Sequence, residues 1–279
     1  MKNLLRTLAW KEQVSVTLAD TTKMVNEGIR RHGLHTTAAK TFGRALSAMT
    51  FMSACLKGET GEISLSTKGN GEGGEIAVSG NQKLYLRGYI SNVYAEGMET
   101  DCFGREGALT IIRDDGYSRP FVGSCGFTGS GDIDEAFEEY FRISEQLPTR
   151  IGTIVEMGED GVCLFAAVIA LQPLPFAEPQ TLTEVADMPL TDLLNSIKTY
   201  GIEETAKAYF SMDGVWELRE AKYQCNCSRK YIGGVLASLG EAQMRQIIQE
   251  DGAVRVHCHY CNTDYEFGDE DADRLFKKA

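Results

Sequence analysis

The chain has 279 residues, 43% hydrophobic and 24% charged, enough to bury a core in one large domain or two modest ones. Its 28 Lys and Arg against 40 Asp and Glu leave a formal charge of −12, the opposite of what phosphate neutralisation by a nucleic-acid binder requires. No apolar run approaches the ~20 residues that span a bilayer, and Arg6 and Lys11 interrupt the stretch a signal peptide needs, so a cytoplasmic chain is expected.

The first 175 residues mix helix and strand patterns. Val14, Val16 and Leu18 alternate with Ser15, Thr17 and Ala19, which predicts a strand. Asp20 and Thr21 suit the start of a helix that runs to about Arg31. From Thr36 to Lys57, Ala38, Phe42, Ala45, Leu46, Met49, Met52 and Cys55 fall on nearly every helical face, so a buried helix is expected. Short strands follow at Ile63/Leu65, Ile76/Val78, Leu84/Leu86, Leu109/Ile111 and Phe121, with Asp115-Gly116 as a hairpin turn. Gly69-Asn70-Gly71-Glu72-Gly73-Gly74 leads into a strand where a dinucleotide fingerprint needs a helix, so it reads as a hairpin, and no Walker pattern offers an ATP site. Asp132 to Ser144 predicts an amphipathic helix with Ile133, Phe137, Phe141 and Ile143 apolar. Asp132, Asp134, Glu135, Glu138 and Glu139 read as its solvated face rather than as paired catalytic carboxylates. Val162 to Leu171 suits a buried strand.

Pro173, Pro175, Pro179 and Pro189 mark a domain edge. Residues 176–222 carry nine acids and four bases, and Leu190, Leu193, Leu194, Ile197, Ile202, Ala206 and Tyr209/Phe210 have helical spacing. A helical connector is expected there, too weakly apolar to stand without a neighbour. In residues 223–279, Ser228 can cap a helix whose Ile232, Val235, Leu236 and Leu239 share a face, and Gly240 can end it. A second helix runs from Glu241 to Gln249, Asp251-Gly252 turns the chain into a strand at Val254 to His257, and Tyr265 and Phe267 lie on a returning strand. A unit this small is marginal without a staple.

Four of the eight cysteines are paired near the C-terminus, as Cys225-Asn226-Cys227 and Cys258-His259-Tyr260-Cys261. In a cytosolic chain such pairs point to a metal site or redox chemistry rather than a disulfide framework. Cys225 and Cys227, two apart on an extended segment, face one side, and the turn from Cys258 brings Cys261 beside it. The four thiolates of Cys225, Cys227, Cys258 and Cys261 can close a tetrahedral zinc site with Zn–S near ~2.3 Å. Such a site has no open position, so hydrolytic catalysis is not expected. Its sulfurs lie about 3.8 Å apart, while a disulfide needs ~2.05 Å, so a small movement lets each close pair bridge and expel the metal. A plain zinc staple and a redox sensor both fit this arrangement. His257 and His259 read as residues around the site, His32 and His35 as helix-end residues, and Cys55, Cys102, Cys125 and Cys163 as core packing.

The Cys-x-Cys and Cys-x-x-Cys pairs resemble those of the redox-regulated thirty-three-kilodalton heat-shock protein family. RVHCHYCNTDYEF at 255–267 is similar to that family's second zinc knuckle, and YFRISEQLPTR at 140–150 to a helix and turn of its N-terminal domain. Asp20 to Lys57 and LYLRGYISN at 84–92 also fit, so the resemblance covers nearly the whole chain. It implies an α+β protein: a large N-terminal domain of mixed α and β layers (1–175), a helical connector (176–222) and a small C-terminal zinc domain (223–279). It further implies a non-enzymatic, ATP-independent holdase that binds one zinc ion when reduced. Oxidation is then expected to close Cys225–Cys227 and Cys258–Cys261, release zinc, unfold the zinc domain and connector, and yield a homodimer that binds unfolding client proteins. No catalytic constellation competes with this reading. A zinc-dependent nucleic-acid binder is disfavoured by seven Lys/Arg against nine Asp/Glu in residues 223–279. A thiol–disulfide oxidoreductase is disfavoured because no βαβ pattern surrounds Cys258 and Cys261.

Overall fold

Strand alternation, helix caps and left-handed glycines divide the chain much as its pattern suggests. A computed structural model describes residues 2–210 and 216–276; residues 211–215 of the expected connector lie outside the described residues. The chain separates into two compact units, Met1–Gln224 and Cys225–Ala279. The first unit opens with strands β1 (Leu4–Ala9) and β2 (Val14–Asp20) and helices α1 (Thr22–His32) and α2 (Thr36–Ala54). The Thr22 amide donates to Asp20 Oδ1 at 2.9 Å, and Gly33, at φ 64°, ends α1. Strands β3 (Glu62–Gly69), β4 (Ile76–Asn81) and β5 (Tyr85–Ile90) follow, then α3 (Glu99–Phe103), β6 (Glu106–Asp114) and β7 (Phe121–Thr128). Helix α4 (Ile133–Tyr140) runs into a π turn at Phe141–Glu145, before β8 (Arg150–Met157) and β9 (Cys163–Pro173). Three helices, α5 (Pro179–Ala186), α6 (Leu190–Tyr200) and α7 (Ile202–Tyr209), precede the short strands β10 (Glu217–Arg219) and β11 (Lys222–Tyr223). The second unit holds α8 (Arg229–Ala237), α9 (Glu241–Asp251), β12 (Val254–Cys258), β13 (Thr263–Phe267) and α10 (Asp269–Phe276).

The first unit is layered, as the α+β class requires. One sheet has the order β10-β1-β2-β9-β8, and another the order β11-β5-β4-β3-β6-β7. Helix α2 packs on β2, β8 and β9 of the first sheet and on β3, β4 and β5 of the second. Burial from both sides explains why this helix is apolar nearly all round. Phe42, Leu46, Met49 and Phe51 join Val78, Leu86 and Val168 in that core. The other face of the five-stranded sheet is covered by α5, α6 and α7. Leu190, Leu193, Leu194, Ile197, Ile202, Ala206 and Phe210 form a second core with Val14, Val16, Leu18, Phe165, Ala167, Ile169 and Leu171. Strands β2 and β9 are therefore buried on both faces, which is why β9 reads as a continuous apolar run.

The glycine run joins an antiparallel hairpin, with Thr67 of β3 opposite Ile76 of β4. A Cβ at Gly71 would lie 2.3 Å from the Cys102 carbonyl oxygen, so its glycine lets this loop lie against α3.

Four expectations need correction. The acidic residues of α4 are not a plainly solvated face. Asp134 accepts from the Thr153 amide at 2.8 Å and from the Thr153 hydroxyl at 2.5 Å, and Arg44 of α2 donates to it at 2.7 Å. Arg44 also reaches Asp132 at 2.7 Å, and Glu138 pairs with Arg150 at 3.1 Å. Ile143 is exposed because the helix changes to a π turn there, which rotates its side chain out of the apolar stripe. Leu164 is exposed because it falls at a bulge between the pairs Glu156↔Phe165 and Met157↔Cys163, and Val162 is exposed because it lies in the turn before β9. Val235 and Leu239 are half exposed, and only Ile232 and Leu236 of their expected face are buried.

Candidate metal centre

The second unit is built to bring two short segments together. Ser228 caps α8, its hydroxyl accepting from the Tyr231 amide at 3.1 Å. Helices α8 and α9 carry the chain out and back, and Gly252, at φ 78°, ends α9. Strand β12 then delivers Cys258. A turn closed by the Cys261 amide on the Cys258 carbonyl at 3.3 Å places Cys261 beside it, and Asn262, at φ 52°, starts the return into β13. Ile232, Leu236, Met244, Ile248, Val254, Phe267 and Ala272 form the main buried cluster among the described residues of this unit.

Cys225, Cys227, Cys258 and Cys261 converge, with all four sulfurs within 4.8 Å of one another. Cys225 Sγ lies 3.8 Å from Cys258 Sγ, and Cys227 Sγ lies 3.2 Å from Cys261 Sγ. A tetrahedral S₄ site at ~2.3 Å places sulfurs about 3.8 Å apart. The donor set thus fits a soft or borderline divalent cation that four thiolates can enclose.

The electrostatics favour the same conclusion. Burial pushes the Cys225 thiol well up, and burial likewise pushes Cys261 up to about 11. Burial also opposes ionisation of Cys227, but hydrogen bonds from Tyr265 and from the neighbouring thiols overcome it and hold its pKa down. The Tyr265 hydroxyl lies 3.3 Å from Cys227 Sγ, and Thr263 Oγ1 lies 3.3 Å from Cys261 Sγ. The protein thus eases ionisation of Cys227 while burial opposes that of Cys225 and Cys261, and a cation among the sulfurs would offset that burial. Tyr265 and Thr263 carry no metal-site signature in sequence. Their only signal is the two-residue step from Thr263 to Tyr265, which places both on one face of the strand that leaves the Cys258–Cys261 turn.

His257 and His259 lie outside the sulfur cluster. His257 Nδ1 is 2.7 Å from Asp264 Oδ1, and its ring meets that of His259 edge-on at 4.8 Å. His32 ends α1, with Nε2 3.0 Å from the Tyr223 hydroxyl, and His35 precedes α2. Cys102, Cys125 and Cys163 are buried and Cys55 half-buried. Burial raises all four thiols, Cys163 to about 11. Among the described residues, strands β12 and β13 pair only with each other, antiparallel, and no βαβ unit surrounds Cys258 and Cys261.

The sequence profile of the family described as Hsp33 protein matches residues 2–268. The chain belongs to the Hsp33 family. It is similar to the 33 kDa chaperonin of Bacillus cereus, with 34% identity over 289 residues that cover 98% of each chain. It is 33% identical to the 33 kDa chaperonin of Bacillus cytotoxicus over 294 residues, again 98% of each. Among solved structures, the 33 kDa chaperonin (HSP33) of Thermotoga maritima superposes with a TM-score of 0.83 at 26% identity, covering 99% of this chain and 98% of that one. Hsp33 family membership thus spans both the layered unit and the four-cysteine unit.

Proposed function

We propose that this Hsp33-family protein is a cytoplasmic, non-enzymatic, ATP-independent holdase switched on by thiol oxidation. The observation that carries the proposal is the convergence of four sulfurs from two segments 31 residues or more apart in a unit with a small core. Cys225, Cys227, Cys258 and Cys261 would hold one zinc ion, which supplies a closed tetrahedral tie with no position for substrate. That tie joins the segment before α8 to the turn after β12. Oxidation replaces ties between the segments by bonds within them. The Cys225 and Cys227 thiolates give up two electrons and form one S–S bond, Cys258 and Cys261 do the same, and the zinc ion, its ligands consumed, would leave as the free dication. Hypochlorous acid takes each electron pair together with one proton from solvent and leaves as chloride and water. The unit then has no link between its two halves, and its small core does not hold it alone.

The connector supplies the second stage. Helices α5 to α7 cover one face of the five-stranded sheet with Leu193, Leu194 and Ile197. Their release uncovers Val16, Leu18, Ile169 and Leu171, an apolar surface of the kind that unfolding clients bind. The oxidised chain is proposed to act as a homodimer.

The experiment uses the full chain, reduced and loaded with zinc, with citrate synthase unfolding at raised temperature as client. Light scattering is followed without ATP. Suppression of aggregation after hypochlorite treatment, absent in the reduced protein, supports the proposal. Equal suppression in both states, or a requirement for ATP, contradicts it.

A further inference from the structure

One short segment closes the edges of both large sheets. β10 is the outer strand of the five-stranded sheet and pairs antiparallel with β1, Leu4↔Arg219, Leu5↔Leu218 and Arg6↔Glu217. β11 is the outer strand of the six-stranded sheet and pairs parallel with β5, Lys222↔Tyr85 and Tyr223↔Leu86. Asn3 clamps the crossing between them: the Ala221 amide donates to Asn3 Oδ1 at 2.8 Å, and Asn3 Nδ2 donates to the Ala221 carbonyl at 3.3 Å.

The β5 edge is covered group by group. The Lys222 amide donates to the Leu84 carbonyl at 2.9 Å, and the Gln224 amide to the Leu86 carbonyl at 2.7 Å. Where the strap's backbone departs, the Tyr223 hydroxyl takes over, donating to the Gly88 carbonyl at 2.9 Å and accepting from the Gly88 amide at 3.4 Å. Glu217, Glu220 and Lys222 are exposed, while Leu218 packs on one core and Ala221 and Tyr223 on the other, so the edges are read through main-chain groups together with a few apolar side chains. An uncovered edge is a row of open N–H and C=O groups that templates any extended chain. A single residue, Gln224, separates this strap from Cys225.

We propose that the strap at 216–224 holds the place of a client. When it leaves, the freed edges of β1 and β5 take up extended segments of unfolded polypeptide by strand addition. The release step rests on the oxidative reading above. Main-chain pairing is indifferent to side-chain sequence, and the places of Leu218, Ala221 and Tyr223 suit the apolar residues that unfolding clients expose. A two-fold copy of β5 would bring an antiparallel strand, whereas this edge takes its strap in the parallel sense. The β1 edge takes its strap antiparallel and suits either occupant, so the β5 edge is what argues for an extended client, and a second copy of the chain is the alternative that the experiment separates.

The experiment uses the oxidised full chain, fluorescent reduced and carboxymethylated α-lactalbumin as the unfolded client, and two peptides of residues 216–224. One peptide is unmodified. The other is N-methylated at the positions of Lys222 and Gln224, which removes the two amides that meet Leu84 and Leu86. The unmodified peptide, at ten times its own Kd, raises the client's apparent Kd about tenfold, and the methylated peptide does not. Hydrogen exchange shows the amides of Leu4–Ala9 and Tyr85–Ile90 slowing when client is added. Client binding with neither peptide competing, or with both competing equally, overturns this inference alone. Edge amides already protected in the client-free oxidised dimer, and unchanged by client, assign the edges to a second copy and overturn it. An oxidised chain that binds no client overturns the functional reading and this inference with it.

Discussion

Replacing Leu193 by Ala tests the seating of the connector. Leu193 is fully buried on α6, within the core shared with β2 and β9. Its neighbours on the helix approach the sheet closely: a Cβ at Gly152 would lie 3.1 Å from Leu190 Cβ and 3.5 Å from Leu194 Cδ1. The helix backbone therefore has little room to sink and refill the space that Leu193→Ala leaves. Truncation of a buried leucine costs about 3–5 kcal/mol where the site does not collapse. Spent on local opening, that cost raises the exposed population of α6 roughly 100- to 4,000-fold. Hydrogen exchange on the reduced, metal-loaded variant reads this directly, because the α6 amides should exchange faster by about that factor while α2 amides keep their protection. The same sample should suppress part of the aggregation of citrate synthase without oxidant. Unchanged exchange across residues 190–200, with unchanged thermal stability, would refute the argument that this face holds the connector down.

Cys258→Ser removes one of four sulfur donors and should lower zinc retention and expose residues 225–279 to protease; full metal content by elemental analysis with unchanged digestion would contradict this. Tyr140→Phe deletes a hydroxyl that donates to Glu145 at 2.7 Å from a fully buried ring, and should cost about 1–3 kcal/mol in urea denaturation; no change in midpoint would show that bond to be idle. Glu27 is held below the usual carboxylate range, first by its hydrogen bond from Arg30 and against a smaller opposing effect of burial. Its contribution is therefore present above the unfolded value near ~4.3 and is lost as pH falls through the lower folded value. Glu27→Gln should flatten the acid limb of the stability curve slightly, and a limb identical to that of the unsubstituted chain would count against it.

Much of the fold could be read from local pattern because local chemistry sets it. The alternation at Val14–Leu18, the cap at Ser228 and the cysteine spacing each act within a few residues. The all-round apolar character of α2 announced burial but not its cause, since two sheets far apart in sequence supply the two faces. Asp134 looked like one more surface acid because its partners, Arg44 and Thr153, lie 90 and 19 residues away. The bulge that exposes Leu164 leaves no mark in an apolar run. β10 and β11 are too short to show a two-residue period, so the strap is visible only through its hydrogen bonds. At the candidate metal centre the grouping of the four cysteines was legible from spacing. Tyr265 and Thr263 were not, because a tyrosine and a threonine on a strand ordinarily serve packing and pairing.

On the proposed mechanism, thiol chemistry, metal loss and client holding are one event. A single oxidation course on the full chain can separate them, with zinc captured by a chromogenic chelator, free thiols and suppression of citrate synthase aggregation followed together. Activity should rise in step with zinc release, and both should reverse when thiols are reduced in the presence of zinc. Full activity in the reduced chain before any zinc has left would contradict it.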